Sequence, residues 1–407
     1  MIPLSGWRHS TGESYFPHED YNADADASPS GTDWYDQAFS ETVLESLDFE
    51  FDDDTKWYCI LGGAQQLAKK MATKIVRKPV YNSPVTAIRA VAPMRVQVDV
   101  GTSSAKQTKT YDAVFNTTTL SCLGRMDISK AGLNYSTKQA IRSLGYGPAA
   151  KVAIKFKRAW WIHDLGNFNV KMGGLGHSDL TTRTCVYPSY NIYDDETKTA
   201  VLLNSYTWQQ DSQRLASLMS TNADHAQKVS DEADLKELLF RELVRLHENK
   251  DMTTEELYNL IRNNYIDHHA FDWYKDPTTA GAFGFFRPQQ FSCMWNKMIH
   301  PSGDVVIVGE AASPHHAWVV GALESVVHGI HAWLGLNVWR FPQFAEAMEI
   351  LEKRQARNPF VGLPPYMDAN ISRWQSVLGL IHRQGHLSDL GDQDSPAKLF
   401  AQLNLGG

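Results

Sequence analysis

Apolar positions along the 407 residues recur at two periods, one near 3.6 and one of 2. The firmest helical stretch is ADLKELLFRELVRL, where Leu235, Leu238, Leu239 and Val244 form one stripe inside a region, residues 211 to 264, that reads as helical throughout. The segment PAAKVAIKFKRAWW, residues 148 to 161, alternates instead. Val152, Ile154 and Phe156 fall on one face with Lys151, Lys155 and Lys157 around them, which predicts a strand. PVTAIRAV and MRVQVDV alternate in the same way and predict a two-stranded antiparallel element, followed by a short buried strand in YDAVFNTTTL. WYCILGGAQQLAKKMATKI predicts a strand, a Gly-Gly turn and a helix carrying Leu67, Met71 and Ile75. FSETVLESLDFEF places Phe39, Val43, Leu44 and Leu47 on one helical face behind a Ser40 cap. DVVIVG, residues 304 to 309, predicts a buried strand that enters a loop and then a helix starting near Trp318. Residues 20 to 33 read as a loop, and 270 to 291 as an aromatic, glycine-rich stretch. Interleaved strands and helices without an internal repeat predict an α/β or α+β architecture.

Composition adds limits. With 43% hydrophobic, 11% aromatic and 21% charged residues, the chain is an ordinary globular mixture rather than a collagen, a low-complexity polymer or a disulfide scaffold. At about 100 to 200 residues per domain, two or three domains are expected. Charge is unevenly placed. Fourteen of the 46 acids lie between Ser10 and Thr55, where there is no Lys or Arg, so the rest of the chain carries 32 acids against 39 basic residues. An acidic leader of this kind reads as a solvated surface and argues against a nucleic-acid-binding arm. Cys59, Cys122, Cys185 and Cys293 are far apart with no CxxC pair, which favours reduced structural thiols. The first residues lack the form of a secretory signal, and no run of about 18 apolar residues occurs. A soluble, cytoplasmic protein with no membrane span and no nucleic-acid partner is therefore expected.

The most informative stretch for chemistry is DVVIVGEAASPHHAWVVGALESVVHGI, residues 304 to 330. A strand ending at Gly309, a loop carrying Glu310 and a helix beginning near Trp318 would aim the first N–H groups of that helix at whatever lies beyond the strand, the place where open α/β sheets bind cofactors. Those groups and the helix dipole favour negative charge, and Glu310 suits a hydroxyl chain. A ligand-free strand-loop-helix is the plainer alternative. His315 and His316 do not make a metal site, because adjacent residues rarely converge on one ion and no third ligand is near in sequence.

This stretch resembles the C-terminal flavin motif of the flavin-containing amine oxidases, and most closely the fungal branch similar to L-amino-acid oxidases. Six further stretches resemble that family in the same order: DWYDQAFSETVLESLDFEF, KWYCILGGAQQLAKKM, YDAVFNTTTLSCLGRMD, GPAAKVAIKF, RTCVYPSY and DWYKDPTTAGAFGFFRPQQF. Together they span roughly residues 33 to 338. The resemblance implies a two-domain FAD-linked amine oxidase fold. It also implies that Glu310 holds the phosphate and ribityl side of FAD, that Ala311 lies in the same motif, that Trp318 and Val319 lie against the flavin ring, and that Val85 meets the adenine. Lys151 would hold a water against flavin N5, a role that suits a lysine whose pKa burial has lowered. Trp273 and Phe283 would form the aromatic wall beside a small amine or amino-acid substrate. The implied reaction moves hydride from the amine-bearing carbon to flavin N5, and O2 is reduced to hydrogen peroxide.

The resemblance breaks at one place. The family opens with a strand, a GxGxxG turn and a helix, and none of the glycine clusters at Gly62, Gly145, Gly173 or Gly281 has that spacing. The expectation is an N-terminally truncated fold, with the dinucleotide-binding unit lost by truncation or by an error in gene assignment, or supplied by a partner chain. FAD binding would then be incomplete. A flavin-free relative acting as a scaffold, or a non-redox enzyme of secondary metabolism, are the alternatives; a homo-oligomer is also compatible. Arg287-Pro288-Gln289-Gln290 is a smaller departure, where the family usually has glycines. On this basis residues 1–56 form an acidic segment partly belonging to the substrate domain. Residues 57–120 and 300–338 would be the remnant of an FAD-binding domain, 121–299 a substrate-binding domain, and 339–407 a C-terminal helical segment.

Overall fold

The computed structural model describes residues 38, 41, 58–101, 105–165, 173–190 and 192–355. The helix expected on Phe39, Val43, Leu44 and Leu47 falls almost wholly outside them. The backbone divides into two compact units, Met1–Asn82 with Gly145–Pro288, and Ser83–Leu144 with Gln289–Gly407.

In the unit that begins at Ser83, the two alternating stretches become β1 (Val85–Ala92) and β2 (Arg95–Val100), paired antiparallel as predicted, and β3 (Gln107–Tyr111) extends the sheet. Ile88, Val96 and Val98 are buried. Asp99 is buried as well, and Arg89, Lys106 and the Thr108 hydroxyl hold its carboxyl well below the usual carboxylate range. β4 (Val114–Asn116) pairs in parallel with the strand Val305–Ile307. The helix Val319–Asn337 packs on that strand at Gly329, where an added Cβ would lie 2.5 Å from Val308 Cγ1. Val306, Val308, Trp333 and Leu334 form the local core with Phe115 and Phe344 against it. One carboxylate ties these pieces together: Asp304 accepts the Met94 N–H at the β1–β2 turn at 2.6 Å and the Trp333 indole N–H at 3.1 Å. By length and composition, with a mean hydropathy of 1.3, Val319–Asn337 is the one described helix able to cross a bilayer. Counting uninterrupted apolar residues misses it, because Glu324, His328 and His331 interrupt the run. Core helices of globular proteins meet the same criterion.

In the other unit the helix Gln65–Lys74 buries none of its residues, so the stripe of Leu67, Met71 and Ile75 is exposed; Tyr58–Ile60 do not form the strand expected there. The sheet of this unit is more substantial. After the short β5 (Tyr146–Gly147) come β6 (Ala149–Phe156), β7 (Gly174–His177), β8 (Thr184–Tyr187), β9 (Ala200–Trp208) and β10 (Tyr265–Asp272), arranged antiparallel in the order β10-β6-β9-β8-β7; β11 (Phe283–Gly284) pairs with β5. The alternation of β6 sets its two faces. Ala150, Val152, Ile154 and Phe156 enter a core with Leu202 and with Leu235, Leu239 and Leu243 of the predicted helix, Ala233–Leu246. The side chains of Leu257 and Ile261 join them from Thr254–Asn264, a helix started by a capping box between Thr253 and Glu256. Each such large apolar side chain stabilises by about 1.5–3 kcal/mol. The 211–264 region is therefore helical in four pieces, Gln209–Ala216, His225–Asp231, Ala233–Leu246 and Thr254–Asn264. No disulfide joins the four cysteines; all are free thiols.

A buried histidine closes the helical end of this core. His247 donates its Nδ1–H to the Leu243 carbonyl at 2.7 Å, so the neutral ring accepts the Tyr187 hydroxyl proton at Nε2, 2.6 Å away, and its edge meets Trp160. Burial pushes its pKa below the usual histidine value. The unfolded chain thus takes up a proton near pH 6.5 that the folded chain refuses, so stability present above about pH 6.5 is lost as the pH falls below it. The fall in Tm between about pH 7 and pH 5 should shrink in His247→Gln, and equal falls in both proteins would contradict this. Tyr187→Phe should cost about 0.5–1.5 kcal/mol in denaturant unfolding.

Candidate functional site

Two groups of the expected residues assemble, one in each unit. On β6, Lys151 points away from the core. Its direct cross-strand partners are Tyr206 on β9 and Phe271 on β10, and Ala149 two positions earlier faces Trp208. The ammonium Nζ lies 4.2 Å from the centre of the Tyr206 ring and 5.7 Å from that of Trp273. Edge-to-face contacts extend the wall from Tyr206 to Trp208 at 5.6 Å, from Trp208 to Phe283 at 5.3 Å, and from Phe271 to Trp273 at 4.8 Å. Phe283 is buried in this cluster with Ala149 and Phe285. Among the described residues Lys151 has no carboxylate partner, and burial alone lowers its pKa from the ordinary lysine value. A half-buried amine with a lowered pKa, walled by aromatic rings, can hold a water and exchange a proton with it more readily than an ordinary lysine.

The second group lies in the unit that begins at Ser83. Gly309, at φ 133°, follows the strand and donates its N–H to the buried Ser325 hydroxyl at 2.8 Å. Glu310 and Ala311 form a single 3-10 turn, Glu310–Ala312. The Glu310 carboxylate accepts the N–H of Ala317, a non-glycine residue held at φ 65°, so it shapes the loop ahead of the helix. The Ala311 carbonyl accepts the Trp295 indole N–H. Trp318 is the N-cap of Val319–Asn337, and its indole cannot accept a bond from the first-turn N–H groups as a Ser or Asp would. Trp318, Val319 and Val320 present exposed apolar surface there. Gly321 brings the helix start against the loop: a Cβ on it would stand 2.2 Å from the His315 carbonyl oxygen. Apolar surface, a helix N-terminus without a capping side chain and close backbone approach fit the ring and anionic edge of a flavin. Val85 begins β1 opposite Val100, and among the described residues no hydrogen bond or ring contact links it to Glu310 or Trp318.

Residues 1–327 match the family described as flavin containing amine oxidoreductase. The chain belongs to that family. Among amine oxidoreductases it is similar to L-amino-acid oxidase 4 of Hebeloma cylindrosporum, 33% identical over 327 residues that cover 77% of this chain and 50% of the relative. It is also similar to an L-amino-acid oxidase of Siganus canaliculatus, 26% identical over 71% of this chain and 49% of the relative. The chain thus spans about half the length of these two relatives. Cyclohexylamine oxidase from Brevibacterium oxydans shares the fold, with a TM-score of 0.56, 14% identity, and coverage of 86% of this chain and 68% of its own. The mixed helix and sheet architecture is that of the FAD-linked amine oxidases.

Tyr206, Trp208 and Phe271 were not among the residues expected at this site. Their signal was weak, since Tyr206 and Trp208 sit in AVLLNSYTW, which does not alternate cleanly. For the Gly321 approach the expected result is sharp. Gly321→Ala should destabilise by about 1–3 kcal/mol despite the better helix propensity of alanine. In the same helix Gly335→Ala, whose Cβ would meet nothing nearer than Met348 Cε at 3.5 Å, should stabilise by up to about 1 kcal/mol. Denaturant unfolding of the two variants gives opposite signs if the close approach is real.

Proposed function

We propose that this chain carries the substrate wall and the flavin-ring contacts of an FAD-dependent oxidase that deaminates an L-amino acid or a related primary amine. The observation that supports it most is the half-buried Lys151, beside Tyr206 and Trp273 and, among the described residues, without a carboxylate partner, in a family whose members include L-amino-acid oxidases. When bound, FAD takes hydride from the amine-bearing carbon and passes the electrons to O2, yielding hydrogen peroxide. Everything else falls to the protein. Lys151 holds a water by its Nζ and moves a proton to or from it. Trp273, Phe283, Trp208 and Phe271 exclude bulk water and pack the substrate side chain. Glu310 keeps the loop before Trp318 in shape and would be the residue that binds the hydroxyls of the cofactor. Trp318 and Val319 would hold the ring, the N–H groups beyond Trp318 would stabilise negative charge on it, and Val85 would hold the adenine. Hydrolysis of the imine product by water gives the keto acid and ammonia.

The test is direct. The purified 407-residue chain, incubated with FAD and then freed of unbound FAD by gel filtration, should show bands at about 370 and 450 nm, and it should release peroxide with some member of an amino-acid and amine panel. A monodisperse protein that stays colourless with FAD would overturn the assignment for this chain. Lys151→Met should lower turnover by about 100-fold or more while leaving the flavin spectrum in place; full turnover in that variant would remove Lys151 from the mechanism.

A further inference from the structure

Lys151 sits on the middle strand of three, and residues directly opposite one another in antiparallel strands project on the same face. Its ammonium group therefore stands between the side chains of Tyr206 and Phe271 rather than at the rim of the sheet. Ala149 and Ala153, two positions to either side on the same face, are too small to touch it or to hold it. A lysine side chain has four rotatable bonds, and fixing it costs about 2 kcal/mol of rotamer entropy. Something must select one position. Of the Tyr206 and Trp273 rings, that of Tyr206 is the nearer, its centre 4.2 Å from Nζ against 5.7 Å, inside the roughly 6 Å range in which a ring face attracts a cation. Trp208 meets Tyr206 edge-on, and Phe283 meets Trp208 in turn, so the Tyr206 ring is itself braced. Among the described residues no carboxylate pairs with Lys151. The charged or titratable groups on this face of the neighbouring strands are Lys155 along β6, His269 and Asp267 along β10 and the phenol of Tyr206; Asp267 lies opposite Lys155, four residues from Phe271, and is bound by His225 at 2.8 Å, while Asp272 pairs with Ala150 and falls on the opposite face.

We propose that Tyr206 is the positioning residue of Lys151: its ring face fixes the ammonium group in place and favours the protonated amine against burial. Its functional meaning depends on Lys151 handling a proton in the oxidase reaction, but its physical content does not, since it concerns the chain without flavin. Tyr206 touches neither substrate nor cofactor in this role. It sets where the lysine nitrogen stands and at which pH it loses its proton.

The measurement is the titration of Lys151 in the full 407-residue chain, read from the pH dependence of its acetylation by acetic anhydride in peptide mass spectrometry. Tyr206→Leu should lower the Lys151 midpoint by about 0.4–1.5 pH units, the range expected for loss of a partly desolvated cation–π contact. Tyr206→Phe, which retains the ring, should leave it where it was. Should the leucine variant fail to fold, replacing Tyr206 by phenylalanine and then by fluorinated phenylalanines keeps the shape while draining the ring face of negative potential, and the midpoint should fall stepwise. An unchanged or raised midpoint in a folded Tyr206→Leu protein, or a flat fluorination series, overturns the proposal. Failure of the oxidase assignment looks different: the chain stays colourless with FAD, or Lys151→Met keeps its turnover, while the titration still shifts with Tyr206.

Discussion

The two faces of β6 have opposite tasks, and the candidate chemistry depends on that division. Val152, Ile154 and Phe156 are withdrawn entirely from water and clamp the strand to the helices Ala233–Leu246 and Thr254–Asn264. A strand held so firmly on one face cannot slip by a residue, because a slip would bring the lysines into the core. Lys151 is thereby presented on the other face in a set register with Tyr206 and Phe271. Desolvation of the amine, its approach to the ring and its lowered pKa all follow from a register that apolar burial on the far side enforces.

Close backbone approach plays the matching part in the other unit. Gly329 lets the helix Val319–Asn337 descend onto Val306 and Val308, and Gly321 lets the first turn of that helix touch the loop at Ser313 and His315. Asp304 adds a polar tie from the strand end to the β1–β2 turn and to Trp333. The result is a helix N-terminus held in place from below and bordered by Glu310, with Trp318 and Val319 turned outward. A flexible loop could offer the same groups, but not at a constant position.

Much of this was legible in the chain, and the unread parts have definite physical causes. The helix of Leu235 and Leu239, the β1–β2 pair, β6 and the strand-loop-helix around Glu310 each carry a clean period of apolar residues. β9 does not. A register shift between its pairing with Val152 and with Ala153 breaks the alternation, so Leu202, Asn204 and Ser205 are all buried and the period of two disappears. β10 is obscured differently: its buried His268 binds the buried Glu232 at 2.9 Å, a polar pair that no apolar pattern announces. The strand expected at Tyr58–Ile60 failed because an apolar run needs a neighbouring strand, and those residues are exposed.

Lys151, Trp273, Phe283, Glu310 and Trp318 could be singled out from motifs, because each sits in a short stretch with its own signature. What they do to one another could not. Sequence by itself determined which residues repeat with a strand or helix period and which motifs of the amine oxidoreductases are present, since both are properties of neighbours along the chain. Only the tertiary structure decided that Tyr206 and Phe271 flank Lys151 and that Ala317 binds Glu310. Cross-strand register and loop closure join residues that are remote in sequence, and their energies depend on the packing of the whole sheet rather than on any local run.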